Sequence, residues 1–530
     1  MTANHSILRF QKHRKHVLVN SMSRRPSFYE MMSAFLVIAS LVLISTHKCF
    51  AEDAPNIILL MGDDHGWEET GYNGHPQLKT PVLDEMAAKG LRLDHFYAAH
   101  PSCSPTRGSV LTGRHPNRYG TFTPNWSIRP EEVTIGHIAQ TAGYATAHFG
   151  KWHVGPVKAN SPTNPGAMGF DEWLSHDNFF ELNPHFSRNG GEPEQFIGES
   201  SEIVIRETIN FIQRAQKTRK PFLAVVWFGS PHEPYSGLEK DLALYDDLPP
   251  EYGERKVSLT SNETGTKVRR SLRAVLRERY AEITAMDRAI GQLRNYLTEQ
   301  GLKKNTLLWY CGDNGTPSSG LVVSPFRGQK GQMYEGGTRV PSVIEWPARI
   351  PAPVQSSART VTSDILPTLC DLTRQPLPDR PLDGASLLSV FEGKPLRRSL
   401  PICFWSYNAN REAKLGLEPY FPVVQQEGTT PLVKLMNGKP TRTFRNFHHP
   451  VISPEDFGGP RALVGDRYKL VLSGSETGST ELFDLRTDPA EKNNLASQHP
   501  RIVTKLNQDL HSWQASVLRS LTEADYSANN

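Results

Sequence analysis

The chain has 530 residues, 38% of them hydrophobic and 22% charged. These proportions exclude a disordered or membrane-embedded protein, and the length fits two domains, one large and one small. The net charge of +4 misleads as a guide to partners, because residues 1–51 carry seven Lys/Arg and one Glu: that +6 leaves with them and −2 remains from Glu52 onward, so nucleic acid is not expected as a partner and an anionic ligand must be gripped locally.

At the N-terminus, Arg9, Lys12, Arg14, Lys15, Arg24 and Arg25 precede an apolar stretch over 34–45, which ends near Cys49-Phe50-Ala51. The stretch is short for a membrane span, so the pattern predicts a signal peptide over 1–51 cleaved near Ala51. The mature protein is then exported, to a periplasmic, secreted or lumenal location, without stable membrane insertion; an uncleaved anchor is the alternative. Residues Asn56 to Met61 form a continuous apolar run, the pattern of a strand buried on both faces, and lead into Asp63-Asp64-His65-Gly66. Phe222 to Phe228 repeats the design before Ser230-Pro231-His232, and Thr306 to Cys311 repeats it before Gly312-Asp313-Asn314-Gly315. Segments Thr80–Lys89, Thr134–Thr141, Glu202–Gln216 and Arg273–Gln300 carry apolar residues at three- and four-residue spacing, which predicts helices. Alternating strands and helices predict an α/β domain over 52–395: a large, mostly parallel sheet sandwiched by helices, with ligands beyond the carboxyl ends of its strands. Past about 395 the strands shorten between Pro-, Gly- and Asn-rich connections. A hairpin of Tyr468–Leu472 and Thr480–Leu485, with a helix from about Arg501 to Leu518, predicts a smaller α+β domain over 396–530 containing an antiparallel sheet.

Of five cysteines, Cys49 falls in the signal segment and Cys103 opens Cys103-Ser104-Pro105-Thr106-Arg107-Gly108-Ser109-Val110-Leu111-Thr112-Gly113-Arg114. The remaining Cys311, Cys370 and Cys403 allow at most one disulfide. Asp63, Asp64, Asp313 and Asn314 offer hard oxygen ligands suited to Ca²⁺ or Mg²⁺, although an Asp pair after a strand also serves as a turn or helix cap. Neither Cys nor His clusters at zinc spacing are present. Lys151 and His153 lie two apart in Gly150-Lys151-Trp152-His153, His232 lies between prolines, and Lys330 lies between glycines in Gly328-Gln329-Lys330-Gly331. Lys and Arg suit a tetrahedral dianion, and two His can divide the acid and base steps of ester cleavage.

The run from Cys103 to Arg114 resembles the sulfatase family signature, and the other clusters match that pattern in order through nearly the whole mature chain. Further similar passages are Tyr334 to Pro341, Asp364 to Thr368, Leu382 to Leu387, and Leu482 to Leu485 followed by Asp488-Pro489. The resemblance implies the alkaline phosphatase-like fold and hydrolysis of a sulfuric ester on a sulfated carbohydrate. It implies that a maturation enzyme oxidises Cys103 to Cα-formylglycine, whose hydrate attacks sulfur through a covalent sulfo-enzyme intermediate. One Ca²⁺ is then held by Asp63, Asp64, Asp313, Asn314 and the modified Cys103. Arg107, Lys151 and Lys330 offset sulfate charge, His232 is the acid for the departing alcohol and His153 the base. Gly169-Phe170-Asp171-Glu172-Trp173 looks like the N-acetylgalactosamine-6-sulfatase branch. The polar and aromatic loop that follows makes Asp177, Asn178 and His185 candidate sugar contacts, and His448-His449 with Trp405 and Tyr407 candidates for the far side of a cleft. The rival expectations are a phosphate or phosphonate ester hydrolase with the same nucleophile and an inactive sulfated-glycan-binding protein.

Overall fold

Strand β1 (Asn56–Gly62) alternates its side chains between two cores: Ile57, Leu59 and Met61 enter one, Ile58 and Leu60 the other. That double burial is why the segment reads as an unbroken apolar run, and β7 (Phe222–Trp227) and β10 (Thr306–Gly312) repeat it on either side of β1. In the computed structural model the described residues are 54–530 apart from 262–263, 351–352, 410–414, 433–439, 475–477 and 527–530; the expected signal peptide lies outside them. Among the described residues no helix is long and apolar enough to cross a membrane.

Ten strands form the main sheet: β1, β2 (Leu91–Tyr97), β3 (Ala145–Lys151), β4 (Glu172–His176), β5 (His185–Arg188), β6 (Pro193–Gln195), β7, β10, β11 (Ser342–Glu345) and β12 (Val354–Val361), in the order β12-β2-β11-β10-β1-β7-β3-β4-β5-β6. From β10 to β4 the neighbours are parallel, whereas β11, β5 and β6 run antiparallel to their neighbours. Helices Ser200–Thr218 and Leu272–Glu299 cover one face, Ile135–Thr141 and Ile365–Thr373 the other. The expected helices are present to within three residues at each end, with Thr134 capping its helix through the His137 amide. A two-stranded ribbon, β8 (Lys256–Thr260) with β9 (Lys267–Ser271), precedes the long helix.

The predicted hairpin is β15 (Tyr468–Leu472) with β16 (Thr480–Asp484), paired Tyr468 to Asp484 and Leu472 to Thr480. It belongs to a four-stranded antiparallel sheet with β13 (Ile402–Trp405) and β14 (Arg461–Val464). One face of this sheet takes Leu510, Trp513 and Val517 of helix Pro500–Leu521; the other packs Phe404, Val464 and Phe483 on Tyr97 and Val361 of the main body. Polar joints support that seam. Lys469 Nζ, fully buried, lies 2.9 Å from Glu335 Oε1 and 3.0 Å from Glu491 Oε1. Replacing Lys469 by Met would leave two buried carboxylates without their cation, so K469M is expected to cost about 3–5 kcal/mol of stability. An unchanged urea midpoint would contradict that role.

Candidate active site

Because β1, β3, β4, β7 and β10 are mutually parallel, their carboxyl ends fall on one edge of the sheet, and each delivers a polar group there. β1 ends in Asp63 and Asp64, β10 in Asp313 and Asn314, β3 in Lys151 with His153 beyond, β7 leads to His232, and β4 to Asp177. Gly62 pairs with Gly312, so the two acidic turns lie side by side. They are tied by the Asp64 amide donating to Asp313 Oδ1 at 2.8 Å, while the Asp63 amide donates to Ser230 O at 2.9 Å. Gly150 sits where a Cβ would meet Trp227 O at 2.0 Å, and its φ of 94° is left-handed, so only glycine lets β3 approach β7 here.

The run beginning at Cys103 is a helix, Cys103–Thr112, with all ten residues buried. Poor helix formers are held in it by tertiary bonds: Thr106 Oγ1 donates to His100 O at 2.6 Å, and Ser109 Oγ meets Thr362 Oγ1 at 2.7 Å. Cys103 takes the first helical position, where unsatisfied amides and the helix dipole favour negative charge. Its Sγ is 3.6 Å from Lys330 Nζ and 3.8 Å from Asp64 Oδ1. One turn on, Arg107 places Nη2 2.8 Å from Asp313 Oδ2 and 3.5 Å from Asp63 Oδ1, donates through Nη1 to Lys151 O at 3.1 Å, and lies over the Trp227 ring. Lys151 Nζ is 2.5 Å from Asp63 Oδ2, and Lys330 pairs with Asp64. Structure thus brings together Cys103, Arg107, Lys151, Lys330, Asp63, Asp64, Asp313 and Asn314. The last residue of the run, Arg114, serves the scaffold instead, paired with Glu132 and Asp525.

Burial pushes the Asp63 carboxyl up, but Lys151, His232, Arg107 and Lys330 outweigh it and hold the group well below its ordinary range. Burial and Asp63 push Asp313 the other way, to about 7, a condition that a shared cation relieves. Burial also raises the Cys103 thiol, so an unmodified thiol here is a poor nucleophile.

Two buried acceptors, Asp63 Oδ1 and Asn314 Oδ1, have no hydrogen-bond partner. Asp63, Asp64, Cys103 and His232 also place one potential ligand atom each within 4.8 Å of one another. Unpartnered carboxylate and amide oxygens buried in the turns after β1 and β10 fit a hard divalent cation, and His232 lies against that oxygen set. His232 Nε2 lies 3.7 Å from Asp64 Oδ2, and its Nδ1 contacts Glu233 O at 2.5 Å. A carbonyl only accepts, so Nδ1 carries the hydrogen and any proton exchanged with a substrate passes through Nε2. Burial lowers this imidazole to about 3 against the pull of Asp63 and Asp64. His153 is buried with both ring nitrogens unpartnered, and burial, then Lys151 and Arg107, hold it neutral. Asp64 (φ 62°) and His153 (φ 60°) both adopt left-handed backbone, which non-glycine residues rarely do.

Other candidates are placed differently. Asp177 Oδ1 accepts from the Val157 amide at 2.8 Å, and Oδ2 accepts from the Thr429 amide, the Thr430 amide and Thr430 Oγ1 at 2.7, 2.8 and 2.7 Å. Its carboxylate is therefore spent on pinning a loop, which corrects the expectation of a sugar contact. Asn178 is buried with Oδ1 unpartnered, and His185 begins β5 beside the end of β4, on the catalytic edge. Trp405 and Tyr407 belong to the core under the C-terminal helix, where Tyr407 donates to Asp456 at 2.6 Å; His449 packs on Phe122, and His448 pairs with Glu523. Cys103, Cys311, Cys370 and Cys403 are free, so no disulfide joins them.

Sequence reading missed Arg279. This buried guanidinium pairs with Glu69 and donates to the backbone oxygens of Asp64 at 2.6 Å and Pro231 at 2.5 Å, fixing two turns of the site. Its signal was available: Leu272, Leu276, Arg279, Ile283 and Met286 share one helical stripe, and a charge on an otherwise apolar stripe demands a buried partner.

The sulfatase family profile matches residues 55–375. N-acetylgalactosamine-6-sulfatase of Sus scrofa is 32% identical over 406 residues, 69% of this chain and 71% of that protein. Among solved structures, Ps i-CgsB bound to k-i-k-neocarrahexaose superposes with a TM-score of 0.68 at 20% identity, covering 90% of this chain and 98% of that one. A phosphonate monoester hydrolase of Agrobacterium radiobacter shares the fold, with a TM-score of 0.62 at 20% identity over 88% of this chain and 97% of that one. With a family match across most of its main sheet and the site residues converging at one edge, the chain belongs to the sulfatase family and is a sulfuric ester hydrolase.

Proposed function

We propose that the exported protein removes sulfate from a sulfated carbohydrate, using a formylglycine made from Cys103 by a maturation enzyme and one Ca²⁺. The observation that carries this reading is the placement of Cys103 at the start of a buried helix, with Lys330 3.6 Å from its sulfur and Arg107 and Lys151 alongside. Several fixed cations around one reacting position suit an ester whose bridging and non-bridging oxygens all carry developing negative charge. When present, the formylglycine hydrate supplies the nucleophile and the ion offsets charge on the sulfate oxygens. Asp63, Asp64, Asp313, Asn314 and residue 103 would hold the ion, with His232 at its margin.

Arg107, Lys151 and Lys330 bind and orient the sulfate group. His232 hands a proton from Nε2 to the departing sugar oxygen; the sulfate's own charge joins Asp63 and Asp64 in favouring the imidazolium this requires. His153, neutral and unpartnered, accepts a proton during sulfate release. Sugar units resting near Asn178 and His185 would meet the site at the end of β4.

Three measurements test this reading. Initial rates on an aryl sulfate should greatly exceed those on the matching aryl phosphate or phosphonate; the reverse preference would assign the site to phosphorus. Chelation should abolish turnover, and Ca²⁺ should restore it better than Zn²⁺, because the ligand set is dominated by oxygen; full activity in metal-stripped protein would contradict the site. Asp313→Ala should weaken Ca²⁺ binding at least about tenfold and lower turnover, since it removes a ligand and the partner of Arg107. Unchanged Ca²⁺ affinity in that variant would place the ion elsewhere.

A further inference from the structure

Arg442 reaches the active site from the C-terminal part of the chain. Its guanidinium carbon lies 5.6 Å from the centre of the Phe179 ring, and Phe179 stacks on His232 with centroids 4.8 Å apart and planes 11° from parallel. One aromatic ring thus connects Arg442 to the imidazole that faces the departing sugar, and its charge also acts on Cys103 and His153. Among the described residues Arg442 has no carboxylate partner, and its Nε is buried without a hydrogen bond. In the site itself, Arg107 and Arg279 each have an acidic partner, Asp313 and Glu69. A half-buried guanidinium without a counter-charge is costly unless an anion comes to it.

The position of Arg442 is fixed by backbone rather than by its own side chain. The Gly428 amide donates to Arg442 O at 2.7 Å and the Phe444 amide to Gln426 O at 2.8 Å, so 426–428 and 442–444 run as a short paired segment. Asp177 clamps the far end through Thr429 and Thr430. A Cβ at Gly428 would stand 2.6 Å from Asp177 Oδ2 and 3.1 Å from Arg442 O, so this approach requires glycine.

We infer that Arg442 is a specificity-determining residue that binds a second anionic group, a carboxylate or a further sulfate, on the sugar whose sulfate ester is cleaved. The inference rests on the sulfated-carbohydrate reading above. Arg107, Lys151 and Lys330 already meet the scissile sulfate, whereas Arg442 borders the Phe179 ring that stacks on His232, the imidazole assigned to the departing sugar. A planar guanidinium matches either oxyanion in a bidentate manner.

The test is a specificity ratio: kcat/KM for a sulfated sugar carrying a neighbouring carboxylate, or a second sulfate, divided by kcat/KM for its neutral monosulfated counterpart. In Arg442→Gln this ratio should fall about 10- to 100-fold, the worth of a hydrogen bond to a charged group. Arg442→Lys, which keeps the charge but loses the fork, should fall between. The arm in which the ratio drops identifies the anion as carboxylate or sulfate. In the unmutated protein, sugars bearing that anion but no scissile ester should inhibit more strongly than neutral sugars. An unchanged ratio in both variants, or no inhibitory preference in the unmutated protein while it cleaves aryl sulfate, overturns the assignment alone. An unmutated, fully matured protein that releases sulfate from no ester overturns the underlying reading and the assignment with it.

Discussion

Burying charge at one edge of a parallel sheet is the constraint on which this protein is built. Asp63, Asp64, Asp313, Arg107 and Lys151 are each less than 5% exposed, and Lys330 closes the group from a side chain 22% exposed. Any one of these alone would be costly to bury by several kcal/mol, so the set survives only because each member faces an opposite charge at hydrogen-bond range. Such pairing demands backbone precision. It comes from the β1–β10 register, which sets Gly62 against Gly312 and the two acidic turns side by side, and from the buried helix that carries Arg107 between them.

The surrounding structure reads as support for that cluster. Arg279, two turns into a 28-residue helix, grips the Asp64 carbonyl while Glu69 neutralises it. Arg118 and Asp383 join the segment after the Cys103 helix to the family-like passage beginning at Leu382, and Asp364 binds the Val361 and Ala385 amides and Arg398. The small C-terminal sheet is bound in by Lys469 between Glu335 and Glu491, and it is from this part of the chain that Arg442 enters the site. Most of the buried charge thus faces an opposite charge, whereas Arg442, with no acidic partner among the described residues, stands against an aromatic ring beside the site.

Sequence made the central strands legible because they are buried on both faces, and the acidic turns legible because they follow those strands directly. Helices with an apolar stripe, such as Leu272–Glu299, were equally plain. The Cys103–Thr112 helix was not, since Ser, Pro, Thr and Gly are weak helix formers and burial on every side leaves no polar face to give a period. Family resemblance singled out this segment where periodicity could not give its conformation. The antiparallel additions β5, β6 and β11 are three to four residues long, too short to carry a pattern. Asp177 was read as a sugar contact because polarity alone does not distinguish a carboxylate facing a ligand from one saturated by backbone amides, and Arg442 lies in an irregular stretch that offers no pattern at all.

Residue 103 is where the account is most directly tested, by mass spectrometry of its peptide in parallel with sulfate release. The proposed chemistry requires two hydroxyls on one carbon, which a thiol cannot provide. Across preparations matured to different extents, turnover should rise in proportion to the fraction of peptide lighter by about 18 Da, the change expected when this thiol side chain becomes an aldehyde, and Cys103→Ser should retain the fold without sustained turnover. Sustained turnover by Cys103→Ser, or by protein whose Cys103 remains wholly a thiol, would contradict the account.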